Sequence, residues 1–205
     1  MDYKDGTKKY YDSLGDKFGR DKPDYWSYTR NFLAEDVELF LNRLKGKIIL
    51  DLGSGPGRDS LLFRELGYKP ICIDISKNMI KACKDKGLVS CVMDAEELAF
   101  RDNSFAGIWA YTSLLHFPKK CLPNILSNVK NLLRNSGLLF LGMKEGNFDD
   151  CAHVRNEWEI PRYIAHYKEE ELINILQSSD FEISNFSKVK PDKDNVYLNY
   201  LCRKK

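Results

Sequence analysis

Apolar positions along this chain fall into two alternating patterns. Short, nearly continuous apolar runs occur at Lys47–Leu52, Pro70–Ser76, Leu88–Met93, Phe105–Tyr111 and Leu138–Met143. Between them lie stretches with apolar residues at helical spacing, at Arg58–Leu66, Lys77–Lys86, Pro123–Leu133 and Glu169–Ser178. Apolar runs of this length bounded by turn residues read as buried strands, and the longer periodic stretches read as helices. Ser76 is a suitable N-cap for the helix after it, and Asn135-Ser136-Gly137 reads as a helix stop. Upstream, Phe32–Leu44 has helical spacing, with Gly46 as its stop. Two final strands, Phe181–Val189 and Val196–Arg203, are joined by the polar turn Lys190–Asn195. That turn is too short for a crossover helix, so the last two strands should be antiparallel neighbours. Alternating strands and helices of this kind predict an α/β fold.

The first strand ends in Asp51-Leu52-Gly53-Ser54-Gly55-Pro56-Gly57-Arg58, and a helix follows. Glycines there let the backbone approach a ligand closely, and free amide groups at the helix start face whatever binds. The dinucleotide fingerprint G-x-G-x-x-G fails, because its third glycine would stand at Arg58. The P-loop pattern fails too, because no Gly-Lys-Ser/Thr follows. What stands is D-x-G-x-G-x-G, and a carboxylate at Asp51 suits a ligand carrying ammonium and sulfonium better than one carrying phosphates. The competing reading is a tight glycine turn without a ligand. Asp74 ends the second strand, about 20 residues beyond the loop, where an acid hydrogen-bonds ribose hydroxyls in nucleotide-binding α/β folds. It is otherwise an ordinary strand-end acid.

The glycine motif resembles motif I of the class I S-adenosylmethionine-dependent methyltransferases. The resemblance covers about residues 30–205. It implies a Rossmann-like seven-stranded sheet in the order 3-2-1-4-5-7-6, the last strand antiparallel and helices on both faces. It also implies S-adenosylmethionine as cofactor and S-adenosylhomocysteine as product. On this basis Asp51, Gly53, Ser54, Gly55, Gly57 and Arg58 hold the amino-acid end, Asp74 and Ile75 the ribose, and Asp94, Ala95 and Glu96 the adenine. Asp94 serves equally as a cap for the short turn that follows it. Tyr111, Thr112 and His116, at the end of strand four, complete the expected set. The family's usual acid early in strand four is replaced by Ala106. The Asn/Asp-Pro-Pro-Tyr/Phe motif of exocyclic-amine and glutamine-amide methylation is absent there.

The chain of 205 residues is expected to form one domain, with residues 1–45 as a helical, aromatic lid segment and 46–205 as the Rossmann-like core. A net charge of +2 gives no support for broad capture of nucleic acid. No apolar stretch is long enough to span a bilayer, and the N-terminus lacks a signal-peptide hydrophobic region, so a cytoplasmic protein is expected. Six cysteines form no C-x-x-C pair, so no metal site is expected. Cys72, Cys91 and Cys202 lie in predicted strands and read as reduced, structural thiols. Cys151 lies in a predicted loop and is the candidate reactive one.

His116 is the only histidine beside the cofactor motifs, and imidazole titrates near neutral pH. It is a candidate base for a protonated acceptor, or else a packing or cofactor-contact residue. The long connection Lys144–Tyr167 is a candidate substrate loop, since long loops at an active edge carry function. Lys144, Arg162, Tyr163, His166 and Tyr167 are its candidate substrate residues, against a plain surface loop. Among the N-terminal aromatics, Tyr11 and Trp26 are candidate lid contacts to the cofactor, with Arg30 a partner for its carboxylate. The same rings alternatively pin the segment to the sheet.

The expected function is methyl transfer to an oxygen or nitrogen of a small molecule, by a monomer or homodimer. The alternatives are a cofactor-binding protein without catalysis, an RNA or peptide methyltransferase, and an NAD-dependent oxidoreductase, which the misplaced third glycine disfavours.

Overall fold

The computed structural model describes residues 2–14, 31–152 and 160–205. The elements in chain order begin with helices α1 (Tyr3–Leu14) and α2 (Ala34–Arg43), then β1 (Ile48–Leu52), α3 (Arg58–Glu65), β2 (Lys69–Asp74), α4 (Lys77–Asp85) and β3 (Val89–Val92). There follow β4 (Phe105–Tyr111), short 3₁₀ turns, α5 (Leu122–Leu132), β5 (Leu133–Lys144), β6 (Asp149–Ala152), β7 (Arg162–Ala165), α6 (Glu169–Ser178), β8 (Phe181–Val189) and β9 (Tyr197–Lys204).

Seven strands form one sheet in the order β3-β2-β1-β4-β5-β9-β8. Strands β3 to β5 run parallel, and β9 is antiparallel to both its neighbours. This is the expected order, with β8 and β9 as its sixth and seventh strands. Because both faces are covered, β1 and β4 are buried at successive positions and not only at alternate ones. Leu50, Leu52, Ile108, Ala110, Leu139 and Leu141 enter one core with α5 and α6. Ile49, Trp109, Leu138 and Phe140 face the other, with Phe40 of α2 and Phe63 of α3. Trp109 stacks on Phe140 at 3.9 Å, and its indole N–H donates to the Asp59 carboxylate at 2.9 Å.

Helix ends follow local chemistry. The Ser76 hydroxyl accepts the Met79 amide at 3.2 Å, capping α4 as expected. Helix α2 is fastened to the sheet by buried Asp36, which accepts from Ser187 of β8 and Asn199 of β9, each at 2.8 Å.

Two expectations need correction. Asn135-Ser136-Gly137 lie inside β5, which begins at Leu133; Ser136 takes φ 60° and the β4–β5 register shifts between Phe105 and Gly107. The 144–167 connection is also more than a loop. Its β6 and β7 pair antiparallel as a separate two-stranded sheet. No helix among the described residues is long and apolar enough to cross a membrane.

Candidate functional site

The cleft opens at the carboxyl ends of β1, β2 and β4, where the strand order reverses. It holds about 1060 Å³, solvent at its mouth included. Its floor is the glycine loop. Gly53 has φ 74°, and a Cβ there would lie 2.3 Å from the Ser113 Cβ. Only glycine lets the β1 and β4 ends come this close. The Gly55 amide donates to Asp74 Oδ2 at 3.0 Å and the Ser76 amide to Oδ1 at 2.8 Å. Burial nevertheless raises the Asp74 carboxyl to about 6, against those two bonds. Asp51 takes the Ser60 hydroxyl at 2.7 Å, and burial likewise pushes its carboxyl up.

At the end of β4, Thr112 sits at φ 55°. Left-handed backbone is costly for a β-branched residue, and strain of this kind gathers at functional sites. The next residue, Ser113, presents a buried hydroxyl with no hydrogen-bond partner among the described residues.

Helix α1 roofs the cleft with Tyr3, Lys4, Thr7 and Tyr11. Its first turn is tied down where Lys4 pairs with Asp94 at 2.7 Å and with Glu96, and where the Tyr3 hydroxyl donates to Glu96 at 2.7 Å. Its last turn docks on α4. Asp12 accepts the Ser76 hydroxyl at 2.6 Å, and its carbonyl accepts from the Asn78 side chain at 2.6 Å. Midway, the Thr7 hydroxyl accepts the Tyr163 amide of β7 at 3.2 Å.

His116 stands where roof, β4 end and β7 meet. Its Nδ1 lies 2.8 Å from the Tyr163 carbonyl, which only accepts, so Nδ1 carries the proton. Nε2 lies 2.7 Å from the Tyr11 hydroxyl and accepts from it. Arg162 Nη1 donates to the same hydroxyl at 3.1 Å. Burial, and the nearby Arg162 charge, lower the His116 ring to about 3. Burial raises Tyr11 to about 12, while Arg162 opposes that rise. Histidine and tyrosine are both neutral at pH 7.

Of the expected cofactor residues, Asp51, Gly53, Ser54, Gly55, Arg58 and Asp74 line the cleft. So do Ile75, Ala95, Tyr111, Thr112, His116 and Tyr11. Gly57, Asp94 and Glu96 stand outside this lining. Gly57 is the N-cap of α3, at φ 81°, packed under Leu88 and Cys83. Asp94 caps its own turn through the Glu96 amide at 2.9 Å and is salt-bridged by Lys4. Trp26 and Arg30 lie outside the described residues.

Among the substrate candidates, Arg162 and Tyr163 reach the cleft's edge through Tyr11 and His116. Lys144, His166 and Tyr167 do not line it. His166 packs on Phe148, and Tyr167 is fully buried in the core beneath Lys119. The sequence reading missed Tyr3, Lys4, Thr7 and Ser113. Helical spacing of Tyr3 and Thr7 with Tyr11 was the available signal for those two; Lys4 and Ser113 had none.

The cleft pairs a fastened carboxylate and an orphaned hydroxyl with the apolar walls Met93, Leu114 and Phe117. A ribose and a flat ring fit these groups. Among the described residues no cluster of His, Cys, Asp or Glu is placed to hold a metal.

Comparison with known proteins gives the same picture. Residues 49–137 match the family model described as "Methyltransferase domain". Methyltransferase GfsG of Streptomyces halstedii is 30% identical over 131 residues, covering 58% of this chain and 46% of that protein. O-methyltransferase resE of Aspergillus sclerotiorum is 26% identical over 181 residues, covering 80% and 64%. The chain thus spans about half to two thirds of these relatives' own lengths. In fold it matches the 1,6-didemethyltoxoflavin-N1-methyltransferase of Burkholderia thailandensis, a structure with bound S-adenosylhomocysteine. The TM-score is 0.77 at 22% identity, covering 98% of this chain and 88% of that one. Motif, strand order and cleft agree with these matches: residues 49–137 match a methyltransferase domain, and the chain is similar to S-adenosylmethionine-dependent methyltransferases in sequence motif and in fold.

Proposed function

We propose that this chain transfers a methyl group from S-adenosylmethionine to an oxygen or nitrogen of a small acceptor. The observation that carries this reading is Asp74, clamped by the Gly55 and Ser76 amides at the edge of a roofed cleft. Asp74 would take the ribose hydroxyls, Ser113 and the loop amides the amino-acid end, and the Met93–Ala95 wall the adenine. The bound cofactor supplies a methyl group activated by a positively charged sulfur. The protein contributes position, a fixed electrostatic setting and exclusion of water. Helix α1 acts as the lid over the cleft, while α2 packs into the core. Tyr11 presents its ring to the cleft and gives a sulfonium cation–π attraction. The relatives' names support O- and N-methylation of small molecules. The test is an acceptor screen with labelled cofactor. Transfer to a small molecule is expected; tight cofactor binding with no transfer to any acceptor would make the chain a binding protein.

A further inference from the structure

Resting on that reading, the surroundings of His116 bear on what the acceptor is. A hydroxyl is a poor nucleophile until it loses its proton, so a group nearby has to receive that proton, whereas an amine attacks through its lone pair and sheds its proton to solvent afterwards. His116 is ill placed to take a hydroxyl's proton. Its Nδ1–H is spent on the Tyr163 carbonyl and its Nε2 on the Tyr11 hydroxyl. Burial beside Arg162 keeps its ring a weak base. The carboxylates of the cleft are engaged elsewhere: Asp51 by Ser60, Asp59 by Trp109 and Arg58, and Asp74 by two backbone amides.

Arg162 has the opposite character. It lies over the Tyr10 ring at 4.6 Å and donates to Tyr11 at 3.1 Å. Its Nε is enclosed without a hydrogen-bond partner, and no acid pairs with it among the described residues. A guanidinium held this way presents parallel donors that match two carboxylate oxygens. We propose that the nucleophile received here is a carboxylate oxygen, anchored by Arg162 beside Tyr11 and His116.

Such an acceptor arrives ionised and needs no base. Its oxygen gives an electron pair to the methyl carbon, the carbon–sulfur pair leaves on sulfur, and an ester and a thioether result. No proton is released, and the charges of carboxylate and sulfonium cancel. The neutral His116 then serves to position Tyr11 and, through it, Arg162.

The test pairs binding with product chemistry. Benzoate and benzamide are titrated calorimetrically into the protein saturated with S-adenosylhomocysteine. Benzoate is expected to bind at least tenfold more tightly. Arg162→Gln is expected to erase that preference while leaving S-adenosylhomocysteine affinity within twofold, which also shows that the variant is folded. Arg162→Lys, a charge without the fork, is expected to keep part of it. In turnover with methyl-labelled cofactor, benzoate and octanoate are set against phenol, aniline and octylamine. Label that mild alkali releases as methanol supports the proposal. Label found only in alkali-stable products overturns it and leaves methyl transfer standing. No label on any of these acceptors likewise overturns the proposal; failure to bind S-adenosylhomocysteine overturns methyl transfer itself, and this proposal with it.

Discussion

Asp74 and His116 are both buried at the cleft, and burial moves their titrations in opposite directions. Asp74 is raised from 3.8 to about 6, so between these values the folded protein keeps a proton the unfolded chain releases. Its contribution to stability therefore falls as pH rises through that window. Cofactor affinity should rise over the same window, because only the ionised carboxylate accepts from two ribose hydroxyls without giving up a position to its own proton. Calorimetry with S-adenosylhomocysteine from pH 5 to 7.5 checks this, and Asp74→Ala should weaken binding by about 1–3 kcal/mol at pH 7.5.

His116 is lowered from 6.5 to about 3. Here the unfolded chain binds the extra proton, so stability is full above pH 6.5 and is lost as pH falls toward 3. The loss approaches about 1.4 kcal/mol per pH unit inside the window. His116→Gln removes the titration and keeps hydrogen-bonding atoms, so its urea-unfolding profile between pH 6.5 and 4.5 should be flatter than the parent's. The sequence placed both residues near the cofactor, since each follows an apolar strand. It did not reveal their protonation, which depends on burial and, for His116, on the Arg162 charge.

Among the elements, α1 is held by two kinds of contact. The Lys4 pairs with Asp94 and Glu96 are partly exposed, and such pairs contribute roughly 0–1 kcal/mol. Asp12 sits at the N-terminus of α4, where a carboxylate gains from both the Ser76 hydroxyl and the helix dipole. The second contact should dominate. Asp12→Ala is expected to speed hydrogen exchange of the residue 3–14 amides by about fivefold or more, a cost of about 1 kcal/mol, while exchange in β1 and β4 stays unchanged. Mass-resolved hydrogen exchange checks both halves.

The core helices and strands were legible because their apolar spacing repeats locally; β4, α6 and β8 were read to the residue. Strand β6 was not legible. Asp149-Asp150-Cys151-Ala152 has no apolar alternation and is mostly exposed, and it is a strand only because it pairs with β7. Strand β7 in turn packs against α1 and the Leu114–His116 turn, which the sequence brings no nearer to it.

At the scale of the whole molecule, the fold and the cleft predict selective stabilisation. A ligand that binds only the folded state at about 100 times its dissociation constant adds about 2.7 kcal/mol. S-adenosylhomocysteine should therefore raise the melting temperature measurably and NAD should not. A shift with NAD alone would overturn the cofactor reading of the glycine loop.

By itself the sequence determined the α/β architecture and the glycine loop, through short-range signals: apolar runs, the 3.6 period, turn residues, and three glycines in seven positions. The strand order and the cofactor followed from the resemblance to methyltransferases that this loop carries. Only the tertiary structure decided the rest of the site. Tyr11 and His116 are 105 residues apart, and Tyr11 and Arg162 are 151 apart, yet they share one hydroxyl. No local pattern encodes such a meeting, because it is the burial of the sheet's two faces that closes the chain over the cleft. The same burial keeps the histidine neutral and leaves the arginine's Nε without a partner among the described residues.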